Sequence, residues 1–333
     1  MSRRHLTIED REVLAAMAAD GSTQERMAEA VGKSQSAISR ELRRNCPGSE
    51  PYRPVQAHRW AVHRRRQAFQ RRERKMQRPE LLRYVKAGLR QCWSPEQIAG
   101  RLERERGRRV ISHETIYQWI WRGKREGQAW HRFLRQAHRK HRRRSRGTLD
   151  KRGKIPDRVF IDQRPAEVQA KRRFGHWEGD TLVGKNSRGA VVTHVERKSQ
   201  YLVMAALPVR DHRKLVQASR TAFARHERSL RLPRRTETLD NGPEFWSHKQ
   251  LGQALGLAVY FAQPHHPWER GLNEQVNGLI RQFLPKGSPL EHLRLARVRR
   301  IETLLNNRPR KTLRFRTPVE VLRKRRVLYA FQT

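Results

Sequence analysis

Residues 174–209 read FGHWEGDTLVG, then KNSRG, then AVVTHVERKS, Gln200 and YLVMAALPV. The three apolar pieces are short, rich in β-branched residues and separated by turn-formers at Lys185-Asn186-Ser187-Arg188-Gly189 and Lys198-Ser199-Gln200. That spacing predicts three antiparallel strands. Downstream the period changes. Residues 212–230 place Leu215, Val216, Ser219, Ala222 and Phe223 on one helical face. RTETLD (235–240) is a fourth strand, 245–256 a helix ending at Gly256, and LAVYFAQP (257–264) a fifth strand. Residues 269–287 form a helix stopped by Pro285. Three strands followed by alternating helix and strand predict a mixed five-stranded sheet with helices on both faces.

Three acids fall at telling places on that layout. Asp180 lies inside the first strand, where a carboxylate is costly to bury without a partner. Asp240 ends the fourth strand, directly before the turn Asn241-Gly242-Pro243. Glu274 lies in the helix after the fifth strand, with 33 residues separating it from Asp240. If the first and fourth strands are neighbours, their acids meet at the sheet rim. Such a set suits phosphoryl transfer by two hard cations about 3.5–4 Å apart, bound through oxygen ligands. Spacing leaves rivals open: Glu178 shares a strand face with Asp180, and Glu244 and Glu269 compete for the other places.

Upstream the chain is helical and basic. The 333 residues carry 75 Lys+Arg against 32 Asp+Glu, a net charge of +43. Residues 1–150 hold 37 basic and 16 acidic residues, leaving 38 and 16 for 151–333, so the excess runs through both halves. Self-repulsion on that scale points to a polyanionic partner. A ribosome-associated or architectural protein would share the composition. Thr7 starts a helix with Glu9 and Asp10 in its first turn, a second follows Ser22-Thr23, and Gly32 breaks it. Ser34 is then placed to cap a third, QSAISRELRRN, with Ala37, Ile38 and Leu42 inward. This is a helix-turn-helix pattern whose outward Gln35, Ser36, Ser39, Arg40 and Arg43 are able to reach bases and phosphates of duplex DNA.

The predicted organisation is a helix-turn-helix domain at 1–50, a basic linker or helix at 51–90, and a second helical unit at 91–130. A basic linker follows at 131–154, and the sheet domain occupies 155–325. Residues 51–78 hold ten Lys/Arg against Glu73 alone. In the second unit Ser94-Pro95-Glu96 is a strong helix start, and Ile98, Leu102, Ile116, Trp119 and Ile120 form its core. It reads either as a second DNA reader or as a scaffold, with His113 at its surface. Residues 131–147 carry eight Lys/Arg and no acid, so Arg142, Arg143 and Arg144 become phosphate contacts. Cys46 and Cys92, the only cysteines, form no metal-type pair, and no apolar run is long enough for a membrane span. A soluble, intracellular protein is expected.

HWEGDTLVG (176–184), TLDNGPEF (238–245), PWERGLNEQVNGLIRQFLPKG (267–287) and LNNRPRKTLRFRTPVEVL (305–322) together resemble the catalytic core of the IS-thirty family of insertion-sequence transposases. LTIEDREVL (6–14), MAEAVGKSQSAISREL (27–42), WSPEQIAGRL (93–102) and SHETIYQWI (112–120) resemble the same family's DNA-binding region. The resemblance implies an α+β multidomain chain: N-terminal all-α helix-turn-helix regions, then a ribonuclease-H-like core of the retroviral-integrase group. It implies Asp180, Asp240 and Glu274 as an Asp-Asp-Glu triad holding two Mg²⁺, with Mn²⁺ a substitute. It also implies cleavage and transfer of strands at the element's terminal inverted repeats, target DNA as a second partner, a homo-oligomer on DNA and a bacterial, nucleoid-associated location. Asn273, Asn277 and Arg281 are expected to continue the Glu274 face and orient substrate phosphate. His265 and His266 stand where the family commonly has a smaller polar residue, and become candidate phosphate contacts. The competing functions are a repressor or architectural protein with an inactive core, and a nuclease acting on RNA–DNA hybrids. The latter has no use for a duplex reader at the N-terminus.

Overall fold

A computed structural model describes residues 5–46, 50–135, 155–227, 230–264 and 266–323. Residues 142–144 and His265 lie outside the described residues. The chain forms two compact units that divide between Leu81 and Leu82.

In the first unit, helices α1 (Ile8–Ala19), α2 (Gln24–Ala30) and α3 (Gln35–Asn45) are followed by the long α4 (Pro54–Met76). Thr7 closes a capping box with Asp10, and Thr23 caps α2. Gly32 takes the left-handed conformation at φ +64°, which glycine adopts without penalty. Ser34 occupies the N-cap position of α3 but makes no cap hydrogen bond; its Oγ lies 3.2 Å from Ser36 Oγ instead. Leu14, Met27, Ala28, Val31 and Ile38 make the core, joined by Tyr52 and Ala57. Buried Arg11 ties α1 to α3 by donating Nε to Glu41 Oε1 at 2.8 Å.

The second unit contains α6 (Pro95–Arg106) and α7 (His113–Arg125), capped by Ser94 and Ser112, preceded by α5 (Pro79–Arg90). Ile98, Leu102, Ile116 and Ile120 are buried as predicted, Trp119 is half-buried and His113 is exposed. The sheet comprises β1 (His176–Val183), β2 (Ala190–Glu196), β3 (Leu202–Leu207), β4 (Thr236–Leu239) and β5 (Ala258–Phe261), in the order β3-β2-β1-β4-β5. β1 to β3 are antiparallel, whereas β4 and β5 run parallel to β1. This mixed sheet has the ribonuclease-H-like order and matches the predicted architecture. One face packs Trp177, Val192 and Leu239 against Phe223 of α8 (His212–Glu227) and Leu251 of α9 (His248–Leu255). The other packs Leu182, Val191 and Met204 against Val276 of α10 (Gly271–Ile280) and Val298 of α11 (Leu295–Asn306). The helix expected to run to Pro285 ends earlier, at Ile280.

Two features of this unit come from long-range packing. The free edge of β3 is closed by side chains of α11: Asn306 accepts from Leu202 N and donates to its carbonyl, and Glu302 accepts from Met204 N. A covered edge cannot template pairing with another chain. The last helix among the described residues, α12 (Pro318–Arg323), is bound to α6 through Arg101 and Glu320. Gly100 sits at that contact, where an added Cβ would fall on the Phe315 ring. Gly100→Ala is therefore expected to destabilise this unit by about 1–3 kcal/mol, the usual cost of overpacking; thermal denaturation measures it.

Candidate active site

The parallel pairing of β1 with β4 aligns Glu178 with Thr238. Two residues further along this register, Asp180 comes level with Asp240 at the rim, as the strand-neighbour argument requires. Gly179 lies between because β4 approaches closely: a Cβ there would strike the Leu239 side chain. Asp240 is held by its own turn, accepting from Gly242 N at 3.2 Å. Asp180 accepts from Thr181 N and from Asn277 Nδ2, each at 2.8 Å.

The two carboxylates face a common cation. Arg270 donates Nη1 to the Gly179 carbonyl at 3.0 Å; the same nitrogen lies 3.8 Å from Asp180 Oδ1, while Nη2 lies 3.5 Å from Asp240 Oδ2. Burial, and after it the negative charge of Asp240, push the Asp180 carboxyl up to about 6. Arg270 was missed by the sequence reading. The available signal was a lone arginine four residues before the helical acid Glu274.

Glu274 is exposed in the first turn of α10, and among the described residues no three His, Cys, Asp or Glu side chains gather closely enough to hold a metal. The structure thus brings together Asp180 and Asp240, and not Glu274. Glu274 precedes Asn277 by three residues, and such pairs are neighbours on a helix surface. Its side chain therefore starts one turn from the amide that holds Asp180.

Each rival has partners of its own, but Glu244 stays beside the site, where its charge adds to that of Asp240 on Asp180. Glu178 is buried and accepts from Asn273 N at 3.0 Å. Glu244 accepts from Thr181 Oγ1 and pairs with Arg210. Glu269 accepts from Gln263 N at 2.9 Å.

The expected phosphate-orienting face needs correcting at Asn273. Adjacent helix residues are about 100° apart, and Asn273 points into the protein. It is fully buried, donating to the Glu178 carbonyl and lying 3.2 Å from Thr193 Oγ1, so it pins α10 to the sheet. Asn277 reaches the site through Asp180, and half-buried Arg281 lies at the end of α10. His266 is exposed, with Nδ1 3.3 Å from Glu269 Oε1.

On α3 of the first unit, Gln35, Ser36, Arg40 and Arg43 are exposed and Ser39 is half-buried. The Gln35 amide donates to Gln24 Oε1 of α2 at 3.0 Å. Among the described residues, no helix is long and apolar enough to cross a membrane.

Comparison with known proteins agrees with both units. Residues 2–45 match a family described as a helix-turn-helix domain. The chain is 37% identical over 317 residues to the transposase for insertion sequence element IS4351 of Bacteroides fragilis, covering 95% of each protein. It is 39% identical to the transposase for insertion sequence element IS1086 of Cupriavidus metallidurans, over 89% of this chain and 87% of that one. Against the transposase InsI for insertion sequence element IS30A of Escherichia coli the identity is 36%, over 96% of this chain and 84% of that one. Likeness at this level, extending through the helix-turn-helix and the sheet alike, means that the chain belongs to the IS30-type family of insertion-sequence transposases.

Proposed function

We propose that the protein binds the terminal inverted repeats of an insertion element and cuts and transfers DNA strands at those ends, with Asp180, Asp240 and Glu274 as its metal-holding carboxylates. The observation that carries this reading is the Asp180–Asp240 pair at the sheet rim, level across β1 and β4 with a guanidinium between them. Two like charges converge there, and the Asp180 carboxyl already resists ionisation. A hard cation is what such a pair favours, and Arg270 stands where positive charge is needed. Two Mg²⁺, or Mn²⁺ in their place, would activate the attacking oxygen and stabilise the leaving one.

The chain's own residues prepare the site. Asn277 and Thr181 N orient the two oxygens of Asp180, and Gly242 N orients one of Asp240. Arg270 neutralises the pair, and its guanidinium is suited to a phosphate oxygen of the scissile strand. Glu274, exposed one turn from Asn277, supplies the third carboxylate.

The exposed face of α3 is the reader of the element's end, and the enzyme works as a homo-oligomer bridging both ends and the target DNA. Arg40→Ala is expected to weaken binding to the inverted repeat by about 1–3 kcal/mol, the worth of one good bidentate base contact. A mobility-shift assay against scrambled duplex at fixed salt measures this; equal affinity for both sequences would remove α3 as the reader. Strand cleavage of a labelled inverted-repeat duplex, with Mg²⁺ and with EDTA, tests the catalytic reading. Activity in EDTA would exclude the metal mechanism.

A further inference from the structure

A cavity of about 1200 Å³ opens beside β1, walled by segment 161–171, the turn after β2 and the first turns of α10. Its charged walls are Arg164, Lys171, Arg197 and Lys198 against Asp162, Glu178 and Glu269. The acids are already engaged. Gln263 donates to Asp162 at 2.6 Å and to Glu269 at 2.9 Å, and Asn273 N donates to Glu178.

Arg197 is not so engaged. It is 5% exposed, and its Nε and Nη1 have no hydrogen-bond partner; the nearest carboxylate oxygen, Glu178 Oε1, lies 3.6 Å from Nε. A buried guanidinium with idle donors is costly to the fold. Arg164 is pinned nearby by Thr238 and Gln169, and its guanidinium is lowered to about 10 by burial and by the charge of Arg197. Two guanidinium groups thus share one cavity, one of them with idle donors, an arrangement suited to a phosphate oxyanion.

We propose that this cavity is a phosphate site for a DNA strand, with Arg197 as the buried donor to one backbone phosphate and Arg164, Lys171 and Lys198 around it. The inference rests on reading this unit as the one that handles DNA strands. Glu178 of the cavity wall and Asp180 lie on the same face of β1, two residues or about 6.6 Å apart. The phosphate held here therefore belongs to a nucleotide close to the one that reacts.

The test uses the full-length protein in EDTA, so that inactivity of the carboxylate pair has no bearing on it. Affinity for a labelled single-stranded oligonucleotide is measured across a salt series, which leaves aside duplex reading by α3. The double variant Lys171→Gln/Lys198→Gln and the single variant Arg197→Gln are each expected to flatten the slope of log affinity against log salt, by about 0.7 for each phosphate no longer neutralised. Inorganic phosphate is expected to raise the melting temperature of the wild type saturably, at matched ionic strength, and that of Arg197→Gln much less. If Arg197→Gln does not fold, the lysine pair decides. Unchanged slopes in the folded variants overturn the proposal, and stabilisation by inorganic phosphate with unchanged slopes identifies a free-phosphate site and overturns the DNA assignment.

Discussion

Asp180→Asn and Asp240→Asn are each expected to abolish cleavage of an inverted-repeat substrate while leaving binding to that substrate intact. A bound cation supplies several kcal/mol of charge stabilisation, and each 1.36 kcal/mol is tenfold in rate. The loss should therefore be on the order of 10³-fold or more. Neither substitution should unfold the protein. Asp180 is mostly buried beside a second carboxylate that disfavours its charge, so a neutral amide suits the site: its one oxygen keeps the bond from Thr181 N, and its NH2 donates to Asn277 once that side-chain amide turns over. Binding should hold or tighten, because negative charge beside DNA is relieved. Glu274→Gln should lose activity to a similar degree. Glu178 makes a poor control: it is buried and bonded to the N-terminal turn of α10, so its removal would disturb packing. Exposed Glu103→Gln is the cleaner control and should keep full activity. Substantial cleavage by any of the triad variants would remove that residue from the site.

Arg101→Ala is expected to be the most damaging substitution for the fold of the second unit. Arg101 and Glu320 make a two-armed pair, with both contacts at 2.7 Å and both side chains 2% exposed. Arg101 also donates to Glu105, and Glu320 accepts from Thr317 N. Removing the arginine leaves a carboxylate buried and unpaired, which costs about 3–5 kcal/mol. At this domain size that is on the order of 10 °C in Tm, measured by calorimetry. Replacing both partners, as Arg101→Met with Glu320→Leu, should recover most of the loss, because no charge is then stranded. The pH dependence has a definite sign. Burial opposes the Glu320 charge, but the Arg101 and Thr317 hydrogen bonds outweigh it and hold the carboxyl below 4.5 in the folded chain. The pair's contribution is therefore present above about pH 4.5 and lost as the pH falls through the lowered folded value.

What could be read from the chain alone was local. The alternation in HWEGDTLVG, AVVTHVERKS and YLVMAALPV, the helix starts at Thr23 and Ser94 and the turn after Asp240 each depend on a few neighbouring residues. The five strands, most helix positions and the candidacy of Asp180 and Asp240 followed from such signals. Helix faces were less legible. Glu274 and Asn273 are adjacent in sequence, yet one is exposed and the other fully buried, because α10 turns Asn273 toward Glu178 and Thr193 on the sheet.

The tertiary structure alone decided which distant charges meet. Arg270 reaches both rim carboxylates only because α10 packs on β1 and β2 and so brings the turn before it to the rim. Arg197 is left with idle donors only because the turn after β2 is buried in a cavity wall. Arg101 finds Glu320 across 219 residues of chain. Caps, turns and hydrophobic periods act over one or two turns of backbone, so composition and order determine them. A buried ion pair depends on which surfaces lose their water together, and only the packed chain determines that.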